Sequence, residues 1–242
     1  MTATDPPAPP RGPVHRVLDA TVGRLVGPPF GVASFVRRAR VFHPRGRTFE
    51  VTVQIAGDPV GEGTVLGRRA THTGRVRLSR GAGVPEPLPD LLGLALRLDL
   101  PGGPQDLLLI SSRPAPGARQ LLVPARDYGG ALYSSISLFR VGGRSVVLGA
   151  RPARDTAHGP LERLDDVAAA AQRGLRFDLL VATPLGPWET VGSVELRGVV
   201  PDDRGERLRF SPYHRSGGIE PVGLANVVRR RAYADSQAGR PS

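Results

Sequence analysis

The sequence predicts a mainly β protein of the α+β class, an antiparallel β-barrel with flanking helices. Stretches in which polar and apolar residues alternate follow one another along the chain, and Gly, Pro or Asp-Asp turns separate many of them. No repeated strand–helix–strand unit is visible, which argues against a parallel sheet. About eight strands at such spacing are typical of an antiparallel barrel.

The alternation is clearest in residues 48–55, 74–79 and 94–100. Further strands are predicted at 106–110, 133–141, 144–150, 175–183, 190–196 and 206–210.

Helices are predicted at both ends of this series and once within it. Residues 14–36 have helix-like apolar spacing that a Gly-Pro-Pro break interrupts. Residues 160–174 open with Pro, and Asp165 and Asp166 supply the negative charge that favours a helix N-terminus. The last helix is predicted from about 221 to 237.

Residues 1–13 form a proline-rich lead that we expect to be disordered, and we expect residues 14–242 to form one domain. The first residues contain an Asp and a proline run where a signal peptide needs an apolar stretch. No segment has the roughly 18 apolar residues of a membrane span. These observations favour a cytoplasmic protein without a membrane span.

The formal net charge of +11 would ordinarily suggest a nucleic-acid partner. All 33 basic residues are arginine, however, and they are dispersed, with few aromatic residues among them. Such a pattern is also what GC-rich coding produces, so we expect no specific nucleic-acid partner. The absence of cysteine excludes disulfides, thiolate nucleophiles and cysteine metal ligands.

The C-terminal stretch "RRRAYADSQAGR" at 229–240 contains one of only four tyrosines. In a helix, Arg229 and Tyr233 are four residues apart and share one face. A guanidinium stabilises the phenolate form of a neighbouring tyrosine, and tyrosine is a known haem ligand. The alternative is that Tyr233 packs on an apolar face and the arginines are solvated.

Other motifs give this tail a context. The stretch "RVFHPRG" at 40–46 resembles the distal motif of the catalase family, in which an arginine three residues before the catalytic histidine binds a haem propionate. Arg40 and His43 occupy those positions. The stretch "GRVRLSRGAG" at 74–83 is similar to the family's Val-Arg-Phe-Ser segment, with Arg77 and Ser79 at its arginine and serine.

The remaining motifs follow in the family's order. Residues 89–112 resemble its Asp-x-x-Gly-Phe-Ala-x-Lys-Phe strand and the following Asp-Leu segment, and 208–221 resemble the loop before its proximal helix. The tail matches Arg-x-x-x-Tyr-x-Asp-Thr-Gln-x-x-Arg, with Ser236 for the threonine. The chain thus resembles a small member of the catalase-like superfamily.

The resemblance implies haem b, with its iron, as the cofactor. Tyr233 is then the expected axial ligand of the iron, and Arg229 is its charge partner. Arg40, Arg77 and Arg240 are expected to face the propionates, to which guanidinium groups bind strongly.

On the distal side, the resemblance implies that His43 is the acid–base group and that Ser79 orients its imidazole. Catalases carry a distal asparagine after the Asp-Leu segment, whereas this chain has Ile-Ser-Ser-Arg-Pro at 110–114. Ser111 is expected to stand in for the amide, although a hydroxyl reaches less far.

The implied function is a haem-dependent peroxidase that reduces hydrogen peroxide or organic peroxides with a small organic donor, with weak catalase activity at most. Two alternatives stay open: a catalase-fold protein without haem or turnover that acts as a binding or structural module, and a lipid-hydroperoxide isomerase. A monomer or homodimer is expected, because the chain lacks room for the long arms through which catalases form tetramers.

Overall fold

A computed structural model describes residues 45–156 and 158–222. The predicted lead at 1–13 and the predicted helix at 14–36 lie outside these ranges. So does the last predicted helix, at about 221–237, apart from its first two residues, of which Pro221 ends a strand.

The described part contains ten strands, two α-helices and one short 3-10 helix. The strands are β1 Arg45–Ile55, β2 Ala70–Arg80, β3 Leu92–Leu100, β4 Gly103–Ser111, β5 Tyr133–Ser134, β6 Phe139–Val141, β7 Arg144–Pro152, β8 Arg176–Ala182, β9 Glu189–Val199 and β10 Glu220–Pro221. The helices are the 3-10 helix Pro59–Gly61, α1 Leu164–Ala171 and α2 Asp202–Arg207.

Eight of the strands close into an antiparallel barrel. Their order around the barrel is β7-β5-β4-β3-β2-β1-β9-β8, and β8 pairs back with β7. Strands β6 and β10 extend the sheet beside β7. The predicted fold class, an antiparallel barrel with flanking helices, is therefore confirmed.

Two details of the predicted elements are wrong. The predicted strand at 206–210 is helical as far as Arg207, because α2 begins after Pro201 with two aspartates in its first turn and arginines in its last. This charge distribution complements the helix dipole. The predicted strand at 133–141 is divided into β5 and β6, which pair with different parts of β7.

Alternation gives each barrel strand an inner and an outer face. Phe49 of β1 lies opposite Val76 of β2, which lies opposite Leu96 of β3, and all three are fully buried. An eight-stranded barrel is just wide enough for such side chains to fill it. Burying a side chain of this size contributes about 1.5–3 kcal/mol, so the inner face is a packed core.

The tight β6–β7 turn depends on two glycines. Gly142 and Gly143 have φ angles of 53° and 80°, as the turn types of two-residue hairpins require. A Cβ on Gly142 would also lie 2.3 Å from the carbonyl oxygen of Val60. The predicted glycine turn between neighbouring strands is confirmed here.

Helix α1 begins at Leu164, four residues after the predicted start at Pro160, with Asp165 and Asp166 in its first turn. The Arg163 amide donates to Asp166 Oδ2 at 2.9 Å, and Asp165 pairs with Arg47 of β1 at 2.6 Å. On its other side, Val167 is fully buried, and the helix packs against β9. The two aspartates are thus N-terminal helix residues, as predicted.

The segment after α2 is tied to the barrel through Asp106 of β4, which is fully buried. Arg97 of β3 donates to both oxygens of this carboxylate, from Nε at 2.7 Å and from a terminal nitrogen at 2.6 Å. Asp106 Oδ2 also accepts from the Ser211 amide at 2.7 Å and lies 2.7 Å from His214 Nδ1. The hydrogen bond to Asp106 raises the pKa of Arg97 above its ordinary value.

Gln105, the neighbour of Asp106, holds the same segment from the inner face. Its amide nitrogen donates to the carbonyl of His214 at 3.1 Å, and its amide oxygen accepts from the Gly217 amide at 3.1 Å and the Ile219 amide at 3.4 Å. Consecutive side chains on β4 therefore fix residues 211–219 against the barrel.

Asp106→Asn should lower the free energy of unfolding by about 3 kcal/mol, because it leaves the Arg97 guanidinium without its buried countercharge. Asp99→Asn is the matched control, since Asp99 pairs with Arg75 at 3.0 Å on the barrel surface. That loss should stay below about 1 kcal/mol. Urea unfolding measures both, and equal losses would contradict the role assigned to Asp106.

Candidate functional site

The outer face of β2 changes from exposed at one end of the strand to buried at the other. Thr71 and Thr73 are exposed, Arg75 and Arg77 are half-buried, and Ser79 is only 6% exposed. Solvent normally covers the outside of a small barrel, so burial of one end on both faces sets that end apart.

The outer face of β3 follows the same gradient, from exposed Asp99 to buried Gly93. Ser79 lies opposite Gly93, and Gly93 lies opposite Ile110, and both partners are buried. Arg77 lies opposite Ala95, which is half-buried. We call these five residues the buried outer face: Arg77, Ser79, Gly93, Ala95 and Ile110.

The side chains of this surface are small or apolar, with one cation among them. Gly93, Ala95 and Ser79 project little from the sheet, and Ile110 adds an apolar surface. Arg77 supplies five N–H donors in a planar group. Such a surface suits a flat, mostly apolar ligand with an anionic edge.

Arg77 takes its position from a glycine on β1. One of its terminal nitrogens donates to the carbonyl of Gly46 at 3.4 Å. A Cβ on Gly46 would lie 2.9 Å from Arg77 Cζ and 2.8 Å from the carbonyl oxygen of Leu78. Any larger residue at 46 would therefore displace the guanidinium.

The structure brings Arg77 and Ser79 together on one face, but it places Ser111 on the other. Ser111 follows the outward-facing Ile110 and lies opposite Tyr133, which is fully buried. The Ser111 hydroxyl accepts from the Leu92 amide at 3.0 Å and donates to the Val123 carbonyl at 2.7 Å. Both roles of this hydroxyl are thus filled by the backbone.

The other predicted site residues lie outside the described part of the chain. Arg40 and His43 precede residue 45, and Arg229, Tyr233 and Arg240 follow residue 222. Their roles stay predictions.

The inner face at this end of the barrel is closed by a buried arginine. Arg80, fully buried, donates to the Val84 carbonyl at 2.9 Å and to the Leu88 carbonyl, and its Nε lies 3.7 Å from Asp90 Oδ2. Burial raises the pKa of the neighbouring Tyr128 phenol, and the positive charge of Arg80 partly offsets this rise. A buried and hydrogen-bonded arginine thus occupies the inner face at this end of the barrel.

Sequence reasoning missed Asp106, Gln105 and Arg80. A usable signal exists for Arg80, because it continues the inward alternation of Val76 and Leu78 and so must be buried. Gln105 offers the same signal, because it continues the inward alternation of Leu107 and Leu109. The hydrogen bonds of Asp106 to Ser211 and His214 had no such signal, since those partners are more than a hundred residues away.

Among residues 45–156 and 158–222, no three His, Asp or Glu side chains are grouped so that they could hold a metal ion. The helices of the same part of the chain include none that is long and apolar enough to cross a membrane.

No family model matches this chain, and no curated protein matches it. Among solved structures, a bacterial catalase is similar over 98% of this chain, with a TM-score of 0.61 and 16% sequence identity. The chain spans 63% of the length of that structure. The protein therefore has a catalase-like fold, and at this identity the likeness shows the fold alone.

Ser111→Ala should lower the free energy of unfolding by about 1–3 kcal/mol, because it leaves the Leu92 amide and the Val123 carbonyl without their partner. Ser145→Ala, at an exposed position of β7, should change it by less than about 0.5 kcal/mol. Denaturant unfolding compares the two, and an unaffected Ser111→Ala protein would refute the structural role of this hydroxyl.

Proposed function

We propose that this protein is a haem-dependent peroxidase of catalase-like fold, which reduces hydrogen peroxide or organic peroxides with a small organic donor. The observation that carries the proposal is the buried outer face: five residues on three strands that suit a flat apolar ligand with an anionic edge. A haem has that shape and that edge, since its two propionates lie on one side of the porphyrin. The five residues of the buried outer face therefore suit a haem.

The described residues define part of the proposed haem site. Arg77 would pair with a propionate, and the small side chains of Gly93 and Ala95 would leave room for the porphyrin against the barrel. Ile110 would contact its apolar surface. The remaining cations of the proposal are Arg40 and Arg240.

The chemistry needs an electron carrier and a proton carrier. When bound, haem b supplies the redox-active iron through which two electrons pass from the donor to the peroxide. Hydrogen peroxide then yields two waters, or an organic peroxide yields an alcohol and water, with two protons taken up.

The protein's own groups would direct the protons and hold the ligands. His43 would take a proton from the bound peroxide and return it to the leaving oxygen as the O–O bond breaks. Ser79 would orient the His43 imidazole. Tyr233 would bind the iron through its phenolate, which the positive charge of Arg229 stabilises.

Expression with haem supplied should give a protein with a Soret absorption band. Tyr233→Phe should abolish or shift this band, because phenylalanine has no oxygen to bind iron. Tyr128→Phe is the matched control, since Tyr128 is fully buried beside Arg80 and apart from the buried outer face, so loss of its hydroxyl should leave the band unchanged.

A wild-type protein without a Soret band would overturn the haem proposal and favour the binding or structural module. If the band is present, turnover of hydrogen peroxide is measured with and without an aromatic donor. Donor-dependent turnover supports a peroxidase, donor-independent oxygen release indicates a catalase, and rearrangement of a lipid hydroperoxide without a donor indicates an isomerase.

Arg77→Leu should weaken haem affinity about tenfold to a hundredfold, the effect of losing a hydrogen bond to a charged group. Arg75→Leu removes the same side chain from the same face of β2 two residues away, where it pairs with Asp99 at the surface. That variant should bind haem as the wild type does. Titration of the haem-free proteins with haem measures both, and equal affinities would refute the role of Arg77.

A further inference from the structure

Ser112 carries a buried hydroxyl without a partner among the described residues. The residue is 7% exposed, and its Oγ makes no hydrogen bond to any part of residues 45–156 and 158–222. Its backbone is well placed, since its amide donates to the Leu132 carbonyl at 2.9 Å and the residue forms a β-bridge with Leu122. The position is therefore ordered by the backbone, and the hydroxyl plays no part in holding it.

Strand alternation places Ser112 on the side of the sheet that carries the buried outer face. Ile110 faces outward opposite Gly93, Ser111 faces inward opposite Tyr133, and Ser112 follows as the next outward position. The two adjacent serines thus differ in the face they occupy and in their hydrogen bonds. Ser111 faces inward, and its hydroxyl both donates and accepts, whereas Ser112 faces outward, and its hydroxyl does neither within the described residues.

A buried hydroxyl without a partner is unfavourable, and most buried polar groups in proteins are paired. An exception needs a physical reason, such as a ligand that completes the pairing. We infer that Ser112 Oγ, rather than Ser111 Oγ, hydrogen-bonds the small ligand that binds at the buried outer face. This inference rests on the proposed function, under which that ligand is a peroxide.

The chemistry of a hydroxyl suits this role. Ser112 Oγ can donate one hydrogen bond and accept others, and a peroxide also does both. Ser112 would orient the bound peroxide and would neither lose a proton nor be oxidised.

The test compares Ser112→Ala with Ser111→Ala, using azide as the probe of the haem-loaded ferric protein. Ser112→Ala should weaken azide binding about threefold to tenfold, the effect of one hydrogen bond, while leaving the thermal midpoint of the haem-free protein unchanged or higher. Ser111→Ala should do the reverse: it should lower the thermal midpoint by about 2–10 °C and leave azide affinity unchanged. Ser112→Thr, which keeps a hydroxyl, should recover azide affinity.

Unchanged azide affinity in a Ser112→Ala protein that still binds haem would overturn this inference alone. A lower thermal midpoint for Ser112→Ala than for Ser111→Ala would also overturn it, since the Ser112 hydroxyl would then stabilise the fold. A wild-type protein that binds no haem would overturn the proposed function and, with it, this inference.

Discussion

Pairing of β7 with β8 is the constraint on which the rest of the structure depends. It runs from Val147 opposite Ala182 to Pro152 opposite Phe177 and converts an open sheet into a barrel. Closure removes the barrel's free edges and gives each of its strands an inside and an outside. Apolar side chains fill the inside, and Arg80 closes one end of it. The outer surface is therefore the place where this fold can present a ligand site.

Buried charges then hold the outer elements to that barrel. The Asp106 carboxylate accepts hydrogen bonds from Arg97 of β3 and from the Ser211 amide and lies beside His214, while Gln105 binds the same segment from the inner face. Removal of a carboxylate from water is costly, and the three N–H donors of Arg97 and Ser211 compensate for that cost. Residues 211–222, which precede the part of the sequence that carries Tyr233, thereby have a defined position.

Sequence patterns predicted the barrel well and the candidate site only in part. The barrel strands were predictable because half-buried strands must alternate, a rule that acts within a few residues. Arg77 and Ser79 share a face by the same rule, so their proximity was predictable too. The sequence did not reveal that a helix extends to Arg207 within the predicted strand at 206–210, since the apolar spacing of so short a stretch suits both a helix and a strand. Nor did resemblance alone separate Ser111 from Ser112, which differ in the face they occupy.

The sequence by itself determined the class of fold, the alternating strands and the hairpin glycines, because backbone geometry and local burial decide these within one element. Only the tertiary structure decided that one end of the outer face of β2 and β3 is buried, that the Ser111 hydroxyl is bonded to the Leu92 amide and the Val123 carbonyl, and that Asp106 meets residues more than a hundred positions away. Those properties depend on which strands pair in the closed barrel. The paired strands are distant in sequence, so a pattern within one element does not predict their contacts.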